Sequence, residues 1–207
     1  MNAPSLNKPL SLACLTAVAL ATCATSLQAT VVLSPASTWE YTFTDPTGNA
    51  TWNTTTGGWT TGLAPFGNNT GAGDGFDYNT FWGPDGADGD DLWVRVAVDL
   101  TGYDLSTIEY DLGVDNGFSL YVNGLLLAGN NAEGYTFRWE YSGAVSSGLL
   151  TSGVNVFALA LEDHGGLTAF DMQLRGDRIP VGVPDGGSAV LLLGLATLGL
   201  GFVRGRQ

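Results

Sequence analysis

Chemistry in this 207-residue chain has few places to reside, because it carries two cysteines, Cys14 and Cys23, and one histidine, His164. A His-rich zinc site is therefore excluded, and so is a conventional Cys/His nucleophilic pair, since both cysteines fall in an expected N-terminal signal. Carboxylates are denser: Asp85, Asp88, Asp90 and Asp91 fall within seven residues, interleaved with Gly86 and Gly89. Hard cations such as calcium take six to eight oxygens, and this stretch could supply four side chains plus carbonyls, joined by Asp74 and Asp77 if the loop folds back. The spacing departs from an EF-hand, since its twelfth position would be Val96. A solvated acidic loop ahead of a strand is the alternative. Trp52, Trp59, Tyr78 and Trp82 lie in a region otherwise rich in Gly, Asn and Thr. Such rings either stack on the C–H face of a sugar or pin a long loop to a core by burial.

Catalytic pairs are harder to find. Asp163 and His164 are adjacent but have no Ser or Cys partner in a recognisable motif, which reads as a polar turn. Glu162 and Asp163, as neighbours on a strand, would face opposite sides and could not flank one glycosidic bond. No two of the body's five glutamates (Glu40, Glu109, Glu133, Glu140, Glu162) bracket an aspartate on one strand face. The residues thus suggest binding and not catalysis, and the chain is expected not to be an enzyme.

Charge narrows the partners. Between residues 30 and 183 only Arg95, Arg138, Arg175 and Arg178 are basic, against 19 acids, a formal charge of −15. Nucleic acid is excluded on this balance, whereas cations and neutral polymers or sugars remain.

The elements that would position these residues read as strands between glycine-rich turns. Leu92, Val94, Val96 and Val98 alternate with Trp93, Arg95, Ala97 and Asp99, predicting one core face and one wet face. Ile108, Tyr110, Leu112 and Val114 repeat the pattern. Phe118, Leu120 and Val122 lead into Asn123-Gly124, a strong hairpin signal with residues 125–127 returning. Tyr135, Phe137, Trp139 and Tyr141 form an aromatic stripe, residues 154–161 predict a central strand, and Phe170, Met172 and Leu174 a last one. With residues 39–43 this makes at least seven strands and one all-β antiparallel sandwich over residues 30–180, of jelly-roll type.

Both ends differ from this body. Residues 1–29 contain one base, Lys8, then an apolar stretch at 10–24 too short to span a bilayer, and small residues up to Ala29. They predict a signal peptide with Thr30 as the new terminus, so that both cysteines leave with it. A lipoprotein signal at Leu20-Ala21-Thr22-Cys23 is the alternative. Residues 181–187 form a linker containing Val183, Pro184, Asp185, Gly186 and Gly187. An apolar run of 16 residues (188–203) follows, with Arg204 and Arg206 beyond it. At 1.5 Å per residue the run reaches about 24 Å, a short transmembrane helix whose basic end suits the cytoplasmic side.

The order of motif, helix and basic end resembles the PEP-CTERM sorting signals of Gram-negative bacteria, in the VPDSG-CTERM variant with Gly186 in place of Ser. That resemblance implies passage through the export machinery, transient anchoring in the membrane and processing by an exosortase, with delivery to the cell surface or extracellular matrix. In the body, Trp39-Glu40-Tyr41-Thr42-Phe43, the segment from Gly62 to Gly67, the 92–100 strand, the stretch from Asp115 to Gly124 and that from Gly153 to Leu159 occur in series. Together they resemble the galactose-binding-like β-sandwich of bacterial surface proteins and glycoside hydrolases. Three functions follow as expectations: a module binding extracellular polysaccharide, with or without calcium; a structural matrix or surface protein with no specific ligand; and, third, a glycan hydrolase or lyase.

Overall fold

The computed structural model describes residues 29–68, 77–83, 91–131 and 138–180. The expected signal peptide, the expected sorting motif from Val183 to Gly187 and the apolar run at 188–203 lie outside these residues, apart from Ala29. Among the described residues no helix is long and apolar enough to cross a membrane.

The chain forms β1 (Thr30–Leu33), β2 (Thr38–Thr42), β3 (Thr60–Leu63), β4 (Phe66–Gly67) and β5 (Thr80–Phe81). It then builds β6 (Leu92–Asp99), β7 (Glu109–Asp115), β8 (Phe118–Val122), β9 (Leu125–Asn130), β10 (Tyr141–Ala144), β11 (Val154–Leu161) and β12 (Ala169–Gly176). Among the described residues the helical elements are two single 3-10 turns, Leu105–Thr107 and Ser147–Leu149. One sheet runs β10-β7-β12-β4-β5, with β1 also paired to β12; the other runs β3-β2-β6-β11-β8-β9. All pairings are antiparallel except β4 with β5.

Alternation explains why the sheets face each other. Val94, Leu159, Leu120 and Trp39 project from one sheet, and Leu112, Phe170, Met172 and Leu174 from the other, all fully buried in a single cluster. Each such side chain contributes about 1.5–3 kcal/mol when taken out of water. Trp39 meets Phe170 edge to face across the gap, ring centroids 5.2 Å apart. The result is an all-β sandwich built of two largely antiparallel sheets.

The hairpin at Asn123-Gly124 forms as expected. Their φ angles of 49° and 85° are those a type I′ turn needs. Asn123 also ties the turn inward: its Nδ2 donates to Leu149 O at 2.8 Å and its Oδ1 accepts from Val156 N at 2.9 Å. The 154–161 strand is central, between β6 and β8.

Two expectations need correction. The aromatic stripe is not a strand at Trp139, which lies in a turn with φ of 66°. Tyr141 begins β10 and packs on Phe118 at 4.9 Å, and Tyr135 and Phe137 lie outside the described residues. The outward face of β6 is not uniformly wet either. Register places Glu40, Arg95, Ala158 and Tyr121 in one cross-strand row on the outside of that sheet, yet Arg95 is only 3% exposed. The long connection between β2 and β3 folds over it.

Candidate functional site

That connection, residues 43–59, is shaped by short polar turns. Asp45 Oδ1 accepts from Thr47 N at 2.8 Å, and Asn49 Oδ1 from Thr51 N at 3.1 Å, the local side-chain bonds that favour turns over strands. The backbone bond to the Asp45 carboxyl, followed by one from the Thr47 hydroxyl, holds it below the usual carboxylate range. Trp52 then descends onto the sheet, buried edge-on against Tyr121 with centroids 5.4 Å apart.

Arg95 fastens the loop from below. Its Nη1 donates to Trp52 O at 3.0 Å, its Nη2 to Gly57 O at 2.7 Å and its Nε to Glu40 Oε2 at 2.8 Å. The same Glu40 oxygen accepts from Gly57 N at 2.7 Å. A buried guanidinium is costly unless a counter-charge and hydrogen bonds replace its water, and here one carboxylate and two carbonyls do so. Gly57 and Gly58, at φ of 110° and 92°, supply the left-handed backbone that turns both polar groups of Gly57 toward this pair. Beyond them the Trp59 ring lies over the guanidinium, 3.8 Å from its carbon.

Trp59 is half-buried and borders a surface cleft of about 380 Å³ that it shares with Tyr41, Thr42, Phe43, Thr44, Gly58 and Thr60. Tyr41 is held in place by edge contacts to Phe66 at 5.4 Å and Phe43 at 5.7 Å. Phe43 itself is 41% exposed. The cleft wall therefore combines aromatic residues with Thr42, whose hydroxyl bonds to the Thr44 backbone, and with Thr44 and Thr60, whose hydroxyls can donate and accept; its described lining residues include no carboxyl, amine, guanidinium or imidazole. It can hold an amphipathic ring against an indole and bond its hydroxyls.

Of the four aromatics expected as platforms, only Trp59 borders this cleft. Trp82 is wholly buried and its carbonyl accepts from the Thr168 hydroxyl. Trp52 is 7% exposed. Both act as pins, so no sugar ring can lie on either, and the platform reading is corrected for these two. Tyr78 is half-buried beside Phe81, centroids 6.0 Å apart, and is not among the residues that line the cleft. Sequence reasoning missed Arg95 and Glu40, the pair that positions Trp59, and Tyr41 and Phe43, which it assigned only to a strand. The available signal was a lone base amid β6's valines in a body so poor in bases.

Asp85, Asp88 and Asp90 lie outside the described residues. Asp91, the fourth expected calcium ligand, accepts through Oδ1 from Asp163 N at 3.0 Å. Among the described residues no group of three His, Cys, Asp or Glu side chains could hold a metal. Asp163 is buried and closes its own turn, accepting from Gly165 N at 2.7 Å. His164 is exposed, its Nε2 3.3 Å from Glu162.

The outside of the other sheet carries a second buried pair. Asp171, wholly buried on β12, accepts from Met172 N at 2.8 Å and from Arg138. Burial pushes its carboxyl up to about 7, against the lowering influence of Arg138 and of the Met172 amide. Two residues along, Asp111 accepts from Gln173 Nε2 at 2.8 Å and pairs with Arg175 Nη2 at 2.8 Å.

No protein-family model and no curated protein matches the chain. Among solved structures it is similar to a β-glucuronidase from Ruminococcus gnavus in complex with uronic deoxynojirimycin, at 11% identity and a TM-score of 0.47, over 74% of this chain and 30% of that one. It is similar also to a β-glucuronidase from an uncultured Clostridium sp., at 8% identity and a TM-score of 0.45, over 77% of this chain and 31% of that one. A third is the Bifidobacterium dentium β-glucuronidase complexed with coumarin-3-O-glucuronide, at 14% identity and a TM-score of 0.43, over 67% and 21%. The chain spans less than a third of each of these enzymes.

Proposed function

We propose that this is an exported surface or extracellular-matrix protein whose sandwich binds carbohydrate at the Trp59 cleft without acting on it. The observation that carries the reading is Trp59 itself, set over the Arg95 guanidinium at 3.8 Å while bordering a cleft lined by aromatic rings and threonine hydroxyls. A pyranose presents C–H groups on its faces and hydroxyls on its rim, which is what such a wall complements. The cleft volume lies within the roughly 300–1,000 Å³ typical of small-ligand sites.

Export completes the proposal. The signal at 1–29, the motif Val183-Pro184-Asp185-Gly186-Gly187, the apolar run at 188–203 and the basic end support delivery to the envelope of a Gram-negative bacterium and processing by an exosortase. The order of body motifs supports a galactose-binding-like jelly roll, and the spacing of Asp85, Asp88, Asp90 and Asp91 in the sequence supports calcium as a stabilising ion. A structural matrix protein with no ligand is the competing function.

The test is thermal unfolding of the purified protein across a panel of soluble polysaccharides, with calcium and with chelator. A ligand that binds only the folded state raises the midpoint with concentration. A glycan-dependent rise that disappears in Trp59→Ala supports the reading. A midpoint indifferent to every glycan transfers the function to the ligand-free matrix protein, and one indifferent to calcium removes the ion.

A further inference from the structure

The charge around the cleft narrows what it can accept, and this step rests on the carbohydrate-binding reading above. A sugar carboxylate or sulfate is recognised by guanidinium or ammonium groups that meet it directly. Residues 30–180 hold no lysine and four arginines, all of them described and all engaged. Arg95 is buried and directs its Nε, Nη1 and Nη2 at Glu40, Trp52 O and Gly57 O. Arg138 pairs with Asp171 and Arg175 with Asp111 on the outside of the opposite sheet. Arg178 lies over the Tyr103 ring, 4.6 Å from its centroid. None of these groups is among the residues that line the cleft.

Beside the cleft the Arg95 cation beneath Trp59 is matched by Glu40, and the further charge is negative. Asp45 follows the lining residue Thr44, and its carboxyl is held below the usual range by the Thr47 bonds, so it is ionised at neutral pH. The body's net charge extends the same sign across the surface. An acidic glycan would enter against this field with no partner, whereas a neutral pyranose meets hydroxyls and rings.

We propose that the Trp59 cleft selects uncharged glycans and rejects acidic ones. Its binding is then insensitive to salt, because no ion pair forms with the ligand.

Matched oligosaccharides differing only in oxidation at C6 test this: galactose against galacturonate oligomers, and mannose against mannuronate oligomers. Each is titrated into the full-length protein by calorimetry at about 20 and about 300 mM NaCl, ionic strengths that bracket strong and weak screening. The expected result is that a neutral member binds with less than about a twofold change between the two salts, and that its acidic counterpart binds at least about tenfold more weakly at low salt. Thr44→Arg, at an exposed position where only the backbone of Thr44 bonds to Thr42, is expected to admit the acidic member at low salt and lose it at high salt. An acidic member bound as tightly as the neutral one, and lost in Trp59→Ala, overturns the selectivity while leaving the carbohydrate reading intact. Binding of neither member, or binding that survives Trp59→Ala, overturns the carbohydrate reading at this cleft and the selectivity with it.

Discussion

Arg95 on one sheet and Asp171 on the other each bury one member of a guanidinium–carboxylate pair, but the two are satisfied to different degrees. Around Arg95 the cation is covered and the environment is complete: three of its nitrogens reach oxygen acceptors, and an aromatic ring closes the remaining side. Around Asp171 the anion is covered, and one arginine plus the amide of the next residue donate to it. Desolvation prevails there, and the carboxyl rises to about 7. A buried charge is tolerated according to how many of its lost water contacts the fold replaces. The first pair pins a loop and its cleft; the second is sensitive to protonation.

Breaking the complete pair has the largest expected effect. Arg95→Met leaves Glu40 without its counter-charge and the Trp52 and Gly57 carbonyls without a donor, and urea unfolding is expected to lose about 3–5 kcal/mol. Trp59 fluorescence should become more open to quenching by acrylamide, and Arg95→Lys, which lacks the planar fork, should recover only part of either loss. Unchanged stability in Arg95→Met would deny that the guanidinium anchors the loop.

The incomplete pair is exposed by pH. Because folding raises the Asp171 pKa, the folded chain holds that proton more tightly than the unfolded one. Its stabilising contribution is full below about pH 4 and is lost as pH rises through about 7, at a slope of up to about 1.4 kcal/mol per pH unit. The carboxyls of Asp45, Asp99 and Asp104 are lowered by hydrogen bonds from Thr47, Thr101 and Ser106. They act with the opposite sign, losing stability as pH falls through their folded values. Midpoints from pH 3 to 8 should therefore peak at mildly acidic pH, and Asp171→Asn should flatten the descent toward neutrality. A descent that persists in Asp171→Asn would assign it to another group.

The smallest effect sharpens the contrast between anchor and platform. Trp59→Ala removes the stacking on Arg95 but none of its hydrogen bonds, so stability should fall by only about 0.5–1 kcal/mol, measured by the same urea titration. A loss as large as that of Arg95→Met would make Trp59 a structural pin like Trp52.

Much of the sandwich was legible because period-two alternation is local. The valines of β6, the run that became β11 and the Asn-Gly turn each report their own strand without reference to the rest of the chain. The site was less legible, because burial on the outside of a sheet depends on what folds across it. Arg95 has the sequence signature of a wet position, and it becomes buried because residues 43–59, distant along the chain, cover it. Trp52, Trp59 and Trp82 share a composition and a neighbourhood in sequence. What separates them is that Trp52 meets Tyr121 and Trp82 lies in the core, while Trp59 lies over a guanidinium and borders a cleft. Trp139 failed as a strand residue for a related reason: an alternating pattern of aromatics does not reveal a left-handed backbone in its midst.

The placement of β12 has a mechanical consequence. Along one side it bonds to β7 from Ala169 to Arg175, and along the other to β4 at its start and β1 at its end. A pull applied at residue 180 and resisted by a polymer held at the Trp59 cleft would enter the protein through this strand. Because β12 is flanked on both sides, the load would be shared across several ladder bonds at once instead of opening them singly as a zipper opens.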